Sequence, residues 1–462
     1  MQTYYHSVTL NKNKCMGCTN CIKKCPTEAI RVRDGKANII AERCIDCGEC
    51  IRICPYHAKI AVTDPLSSIN KYKYKIALPA PTLYGQFKNL TSIDKVLIGL
   101  KTLGFDHVFE VARGADFVTE FTKRQLKESL SPKPMISSAC PAIVRLVQVR
   151  FPELINNLTD VESPMEIAAQ IAKKEFSEKH DVDKSQIGVF FITPCAAKMT
   201  SIRNPIGTEK SNVEGAISIL DIYGPLSMAM SKISSSDPIP SLQKSSLKGV
   251  AWANSGGEGN ALGLDNYLAV DGIDNVIRVL EEIENDKLSD LDYFEGLACV
   301  GGCVGGPLVF ENNFVAQNRL KKLISKMDAG KPLSPEDVDR AVDTYNWRWD
   351  REIIPKPVMK LDDNILSAIK KMEELERIYS QLPGLDCGSC GAPSCRTLAE
   401  DIVRGQATEF DCIIKLRKKV KMLAQEMIEL SDYIPTGNER NSTLEKEREK
   451  DEDKRFSTED TP

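Results

Sequence analysis

The 462-residue sequence predicts an α/β protein: a central domain of largely parallel sheet flanked by helices, with a small cysteine-rich domain at either end. Two observations predict it. Between residues 69 and 350, apolar runs of strand length alternate with amphipathic helical stretches, the pattern of parallel strands joined by crossover helices. The sixteen cysteines gather in multiples of four: eight from Cys15 to Cys54, four dispersed at Cys140, Cys195, Cys299 and Cys303, and four from Cys387 to Cys412.

In the first group, CMGCTNCIKKCP and CIDCGECIRICP each read C-x2-C-x2-C-x3-C-P. This run binds a four-iron cubane in two-cluster bacterial ferredoxins, where the fourth cysteine crosses to the other cluster. The crossing rule groups Cys15, Cys18, Cys21 and Cys54, and separately Cys44, Cys47, Cys50 and Cys25. C-x2-C also suits tetrahedral zinc, but a doubled tricysteine followed by Cys-Pro favours two 4Fe-4S clusters. Residues 1–68 then form a ferredoxin-like domain able to pass electrons along the chain.

Composition excludes several classes. A net charge of -4 without a basic block gives no footprint for nucleic acid. The segment MQTYYHSVTLNKNKC lacks the features of a signal peptide, and no apolar run reaches the ~18 residues of a membrane span. A soluble, cytoplasmic protein is expected, with no membrane partner.

The last group, in LPGLDCGSCGAPSCRTLAEDIVRGQATEFDC, spaces Cys387, Cys390, Cys395 and Cys412 as C-x2-C-x4-C-x16-C. It resembles a small cubane-binding domain of several redox proteins, with zinc as the alternative. Helical stretches flank it, giving a module over 361–434. In the second stretch Leu416, Val420, Leu423, Met427 and Leu430 form a heptad stripe. Two heptads are short for a coiled coil, and packing on the chain's own surface is the alternative. Residues 435–462 mix both charge signs with few apolar residues, a composition of disorder.

In the middle, KYKIALPAP, FDHVFEVA, PMISSACPA, IGVFFITPC, LKGVAWANS and DYFEGLACV read as strands. SIDKVLIGLKTLG, ADFVTEFTKRQLKESL and SPMEIAAQIAKKEFSEKH read as helices. Cys140, Cys195 and Cys299 fall at strand ends, where ligands of parallel sheets converge. In GLACVGGCVGGP, Cys299 and Cys303 lie four apart among glycines, which suits a bulky group approached closely by backbone. GGEGNALG spaces as G-x-G-x-x-x-G, which argues against a dinucleotide site.

SSACPA, PCAAK and EGLACVGGCVGGP resemble the three signature segments of iron-iron hydrogenases, in order and behind the same ferredoxin module. The likeness extends through ALPAPT, LGFDHVFEVARGADF and NSGGEGNALG and covers roughly residues 1 to 345. The resemblance implies a hydrogenase domain over 69–350. Cys140, Cys195, Cys299 and Cys303 would hold the H-cluster, a cubane joined through Cys303 to a two-iron site bearing carbon monoxide, cyanide and an azadithiolate. It implies that Lys198 donates to a cyanide, that Ala80, Pro81 and Thr82 line the two-iron site, and that maturation proteins load it. The substrates would be H2 and protons, with a partner protein for electrons or signalling.

The chain departs from catalytic relatives at several positions. Ala139 stands where they carry a proton-relaying cysteine beside Cys140. Thr122 and Gln125 replace relay carboxylates, and Thr193 and Leu297 replace methionines. Glu258 and Glu295 are candidates for a substitute relay, with ordinary surface acids as the alternative. The departures resemble a divergent sensory branch, although no PAS-type output domain is present. Slow, reversible H2 chemistry in a sensing role is therefore expected. A fully catalytic ferredoxin-linked hydrogenase and a non-catalytic iron-sulfur carrier or assembly protein are the alternatives.

Overall fold

Short elements frame the first cysteine run: β1 (Val8–Leu10), α1 (Asn20–Lys23), β2 (Ile30–Arg33), β3 (Lys36–Ile39), α2 (Glu49–Arg52) and β4 (Lys59–Ala61). The pairs β1–β4 and β2–β3 are antiparallel. Their core interleaves cysteines with aliphatic side chains such as Val8, Ile22, Ile30 and Ala58. The computed structural model describes residues 5–128, 132–233, 240–327, 330 and 332–432. The charged segment from residue 435 lies outside the described residues.

The central domain runs β5 (Tyr74–Pro79), α3 (Ile93–Thr102), β6 (His107–Val108), α4 (Val111–Glu128), β7 (Met135–Ile136), α5 (Pro141–Arg150), α6 (Pro164–His180), β8 (Ile187–Thr193), α7 (Ala196–Arg203), β9 (Gly215–Ser218) and α8 (Ile219–Ser231). It continues with α9 (Leu247–Ala251), α10 (Gly257–Leu262), β10 (Tyr267–Asp271), α11 (Ile273–Glu284), β11 (Tyr293–Leu297), α12 (Asn313–Ile324) and α13 (Pro335–Thr344). Two parallel sheets result, ordered β6-β5-β8-β9 and β10-β11-β7. All seven residues of β8 are buried, as both faces of a covered parallel sheet require. The expected α/β class with parallel sheets is what the chain adopts.

Three expectations change. LKGVAWANS was expected as a strand, yet Leu247–Ala251 is helical. The Ser246 hydroxyl accepts from Gly249 N while donating to Asp116, so a cap starts a helix there. A Cβ at Gly249 would lie 2.2 Å from the Ala112 carbonyl, so α9 meets α4 backbone to backbone. Strands β9 and β10 were not anticipated: both are edge strands, β9 runs directly into α8, and β10 is only half-buried along its length. Finally, the heptad stripe does not pack on the chain's own surface among the described residues: its members are all exposed.

The C-terminal module consists of α14 (Ile365–Gln381), α15 (Cys395–Val403) and α16 (Ile413–Ser431), with its own core of Leu375, Ile378, Leu398, Ala399 and the buried cysteines. It docks on the ferredoxin-like domain. Val32 N donates to Gly391 O at 2.8 Å. Arg31 donates through Nε and Nη2 to both oxygens of Asp401 at 2.7 and 2.9 Å, and Arg33 reaches the same carboxylate at 2.9 Å. Arg43 pairs with Glu400 beside them. Asp401 is 2 % exposed, and the guanidinium groups are its buried partners.

Replacing Asp401 by Ala leaves Arg31 buried without its anion and is expected to cost about 3 kcal/mol. Limited proteolysis of the module should accelerate, and unchanged cleavage would show that the clamp does not hold it.

Candidate active site

The crossed cysteine sets come together in space. Cys15, Cys18, Cys21 and Cys54 line one cavity, and Cys25, Cys44, Cys47 and Cys50 line a second. The halves repeat in detail: Ala29 N donates to Cys25 Sγ and Ala58 N to Cys54 Sγ, each at 3.2 Å. Such donors stabilise thiolate sulfur. Burial pushes the Cys44 and Cys47 thiols well above their ordinary value, so their thiolate form calls for a cation beside it.

The central crevice forms where the two parallel sheets point their C-terminal ends at each other. Strand β5 delivers Ala80, Pro81 and Thr82, and β8 delivers Cys195 as the N-cap of α7. The turn after β7 delivers Ala139 and Cys140, and the loop after β11 delivers Cys299 and Cys303. These residues, with Lys198 and Glu258, line a cavity of about 110 Å³. Gly302 lets the loop turn: its φ is +89°, and a Cβ would stand 2.6 Å from Ser255 N. Thr193, one of the departures from the resembled pattern, braces the cage residue that follows: its Oγ1 accepts from Cys195 N at 3.0 Å and donates to Cys195 O at 3.1 Å.

The donor set suits an iron-sulfur group. Burial pushes the Cys195 thiol up to about 12, followed by repulsion from Cys299 and Cys140. Cys303 is pushed well up by burial and by Cys140, Cys195 and Cys299, and lines the crevice. Four mutually repelling thiolates in one low-dielectric place need a multiply charged cation. The Thr82 hydroxyl is buried without a hydrogen-bond partner, which leaves a polar atom for an occupant to satisfy. Lys198 lines this crevice and a smaller polar cavity behind it.

Glu258 and Glu295 are not surface acids; they are 4 % and 1 % exposed. Glu258 accepts from Ser137 Oγ at 2.6 Å and Tyr293 OH at 2.7 Å, and Ser137 Oγ accepts from Ala139 N at 3.2 Å. Glu295 accepts from Gly256 N and Gly259 N, each at 2.9 Å. Burial raises both, and for Glu295 burial together with the neighbouring Glu258 charge brings the carboxyl to about 8. A hydrogen-bonded line from Glu258 through Ser137 thus ends beside Ala139, and Glu295 lines the same crevice. Thr122 and Gln125 are buried on α4 and take no part in lining the crevice, whereas Leu297 does.

Sequence reasoning missed Ser137 and Tyr293, although both lie within segments that read as strands. It also missed Glu162, which lines the cavity behind Lys198 and is raised to about 8 by burial and by Glu166. Only a count of buried acids at the crevice would have found it. Arg52 of α2 reaches across the domain boundary to Gly305 O at 2.6 Å and sits against Cys299. The second ferredoxin-like cage therefore abuts the crevice.

Fold and site define an iron-sulfur protein with a two-cluster ferredoxin-type front end and a thiol-lined crevice between parallel sheets. Residues 73–307 match the model of the iron only hydrogenase large subunit, C-terminal domain; residues 7–55 match the 4Fe-4S dicluster domain, and 382–414 an Fe-S cluster model. The chain belongs to the iron-only hydrogenase large-subunit family. It is 34% identical over 212 residues to the periplasmic [Fe] hydrogenase large subunit of Nitratidesulfovibrio vulgaris, covering 42% of this chain and 50% of the relative. Against iron hydrogenase 1 of Clostridium pasteurianum it is 25% identical over 371 residues, 65% of this chain and 64% of the relative. It is also 28% identical over 123 residues to the cytosolic Fe-S cluster assembly factor NAR1 of Yarrowia lipolytica, covering 26% and 25% of the two chains. The chain thus spans about half to two thirds of the length of the two hydrogenases. Among the described residues, no helix is long and apolar enough to cross a membrane.

Ser137→Ala removes a donor that favours the Glu258 carboxylate, so the Glu258 pKa should rise further. A carboxyl raised above its ordinary 4.5 stabilises the fold fully only below that value and loses the contribution as pH climbs through the folded pKa. The variant should lose about 1–3 kcal/mol at pH 8 and less at pH 5. Paired denaturation curves and the infrared band of the protonated carboxyl would check both effects.

Proposed function

We propose that the protein interconverts H2 with protons and electrons slowly and reports hydrogen or redox state to a partner through its C-terminal module. One observation carries this reading: Ala139 places a methyl where a proton-passing thiol would stand, while Ser137 and Glu258 form a hydrogen-bonded line to the same spot. A positioned acid or base typically contributes about 10² to 10⁴ in rate, so a rerouted path is expected to be slow.

In this reading the N-terminal sets hold two cubanes, the crevice cysteines a third, and Cys387, Cys390, Cys395 and Cys412 a fourth. Cys303 would tie the third to a two-iron site with carbon monoxide, cyanide and azadithiolate ligands, which would supply H2 cleavage and formation when bound. Lys198 would offer a charge-assisted hydrogen bond to a cyanide of that group, and Ala80, Pro81 and Thr82 would form part of its wall. Glu258, which lines the crevice and is hydrogen-bonded to Ser137 beside Ala139, would exchange protons there, with Glu295 as a second lining carboxyl. Electrons travel through the cage beside Arg52, the outer ferredoxin-like cage and the docked module. Maturation proteins load the two-iron site, and the setting is cytoplasmic. An assembly role like that in the NAR1 name draws support from that relative, but Lys198 and the unsatisfied Thr82 hydroxyl favour a loaded crevice.

Iron analysis of the reconstituted chain should give about sixteen atoms, four cubanes of four. Tightly held zinc at the last four cysteines would remove the fourth cluster. Cys303→Ala should abolish the carbon monoxide and cyanide infrared bands of matured protein, whereas Cys387→Ala should retain them and slow electron exchange. Loss of the bands in Cys387→Ala would merge site and module.

The relay has its own test. Glu258→Gln keeps shape but cannot accept a proton at neutral pH, and should lower the residual rate about tenfold or more at matched cluster content. Proton reduction by wild type should weaken as pH rises through about 8, where Glu295 loses its proton. Rates equal to those of catalytic relatives, or unchanged in Glu258→Gln, would defeat the slow relay.

A further inference from the structure

Helix α16 has 19 residues, and none of them is buried. Ile413, Leu416, Val420, Leu423, Met427 and Leu430 project along one seam, 43 to 73 % exposed. A lone helix of this length is marginal in water, and a continuous apolar seam calls for a cover. Residues 435–462 are a poor candidate, because they contain only Leu444 and Phe456 as large aliphatic or aromatic side chains.

Charge says what fits. Lys415, Arg417, Lys418, Lys419 and Lys421 fill the first half of the helix, and Glu426, Glu429 and Asp432 follow in the second. Two such helices side by side in parallel would set basic half on basic half. Turned antiparallel, each basic half meets an acidic one, and the dipoles also oppose favourably.

We propose that α16 pairs antiparallel with α16 of a second copy of this chain. The heptad positions close without a remainder. Ile413, Val420 and Met427 take position a, and Leu416, Leu423 and Leu430 take position d. The a-to-d layers of an antiparallel pair then join Ile413 to Leu430, Leu416 to Met427, and Val420 to Leu423, arranged about a twofold axis. The g positions flanking those layers are Lys419 and Glu426, which face each other across the interface twice. On the other flank Arg417 faces Ala424, so no like charges oppose. In a parallel pair the g-to-e contacts would be Lys419 to Ala424 and Glu426 to Ser431, with no attraction. The helix is about 28 Å long and offers about two and a half heptads, short of a long coiled coil, so the pairing is a weak one. This pairing is independent of whether the crevice carries its two-iron site.

Sedimentation equilibrium of the full, cluster-loaded chain between about 1 and 100 μM tests it. Wild type is expected to dimerise in that range. Lys419→Glu and Glu426→Lys should each raise the dissociation constant about tenfold or more, because two attractive pairs become repulsive, while the double variant should return to within about threefold of wild type. Leu423→Asp should give monomer with unchanged iron content. A wild type that stays monomeric to about 100 μM would overturn the proposal and leave the seam to a different protein. So would a dimer indifferent to Leu423→Asp, or a double variant that does not recover.

Discussion

Four thiols repel one another as thiolates, and the central domain gathers them from separate strand ends into one buried crevice. That electrostatic conflict organises the rest of the molecule. It explains why Cys195 and Cys303 are held up by burial and by their neighbours, and why the walls are nearly featureless apart from Lys198, the buried acids and one unsatisfied hydroxyl. It also explains the two facing parallel sheets: only strand ends can supply ligands from several directions while each backbone stays hydrogen-bonded within its own ladder. Braces such as Thr193 on the Cys195 turn hold positions that repulsion would otherwise spread.

What the sequence disclosed depended on range. Cysteine spacing is local and chemically restrictive, so the two crossed cages were legible from spacing alone. Strands buried on both faces, such as Ile187–Thr193, announce themselves as unbroken apolar runs. Edge strands do not, and both β9 and β10 escaped for that reason. The segment Leu247–Ala251 was misread because its fate is set by Asp116 and Ala112, more than a hundred residues earlier. Glu258 and Glu295 were visible as odd residues, but their burial and the link through Ser137 exist only in three dimensions.

Continuity between domains rests on charged groups in unusual places. Arg52 bridges the second ferredoxin-like cage to the Cys299 loop, and Arg31, Arg33 and Arg43 bind the far module through Asp401 and Glu400. Arginine suits these positions because its planar fork satisfies a carboxylate or carbonyl while tolerating burial. The four cysteine sets therefore lie along one connected body rather than on loosely tethered beads.

The docking of the last module onto the first domain also constrains how the protein is made. The outer cages draw on cysteines within a few dozen residues and can close while the chain is still emerging, since short loops cost little entropy to close. The crevice must wait for Cys303, and the Asp401 clamp must wait longer still, for a finished surface at Arg31 and Arg33. In order of translation, the domain that carries the first cysteines also builds the platform that receives the last module.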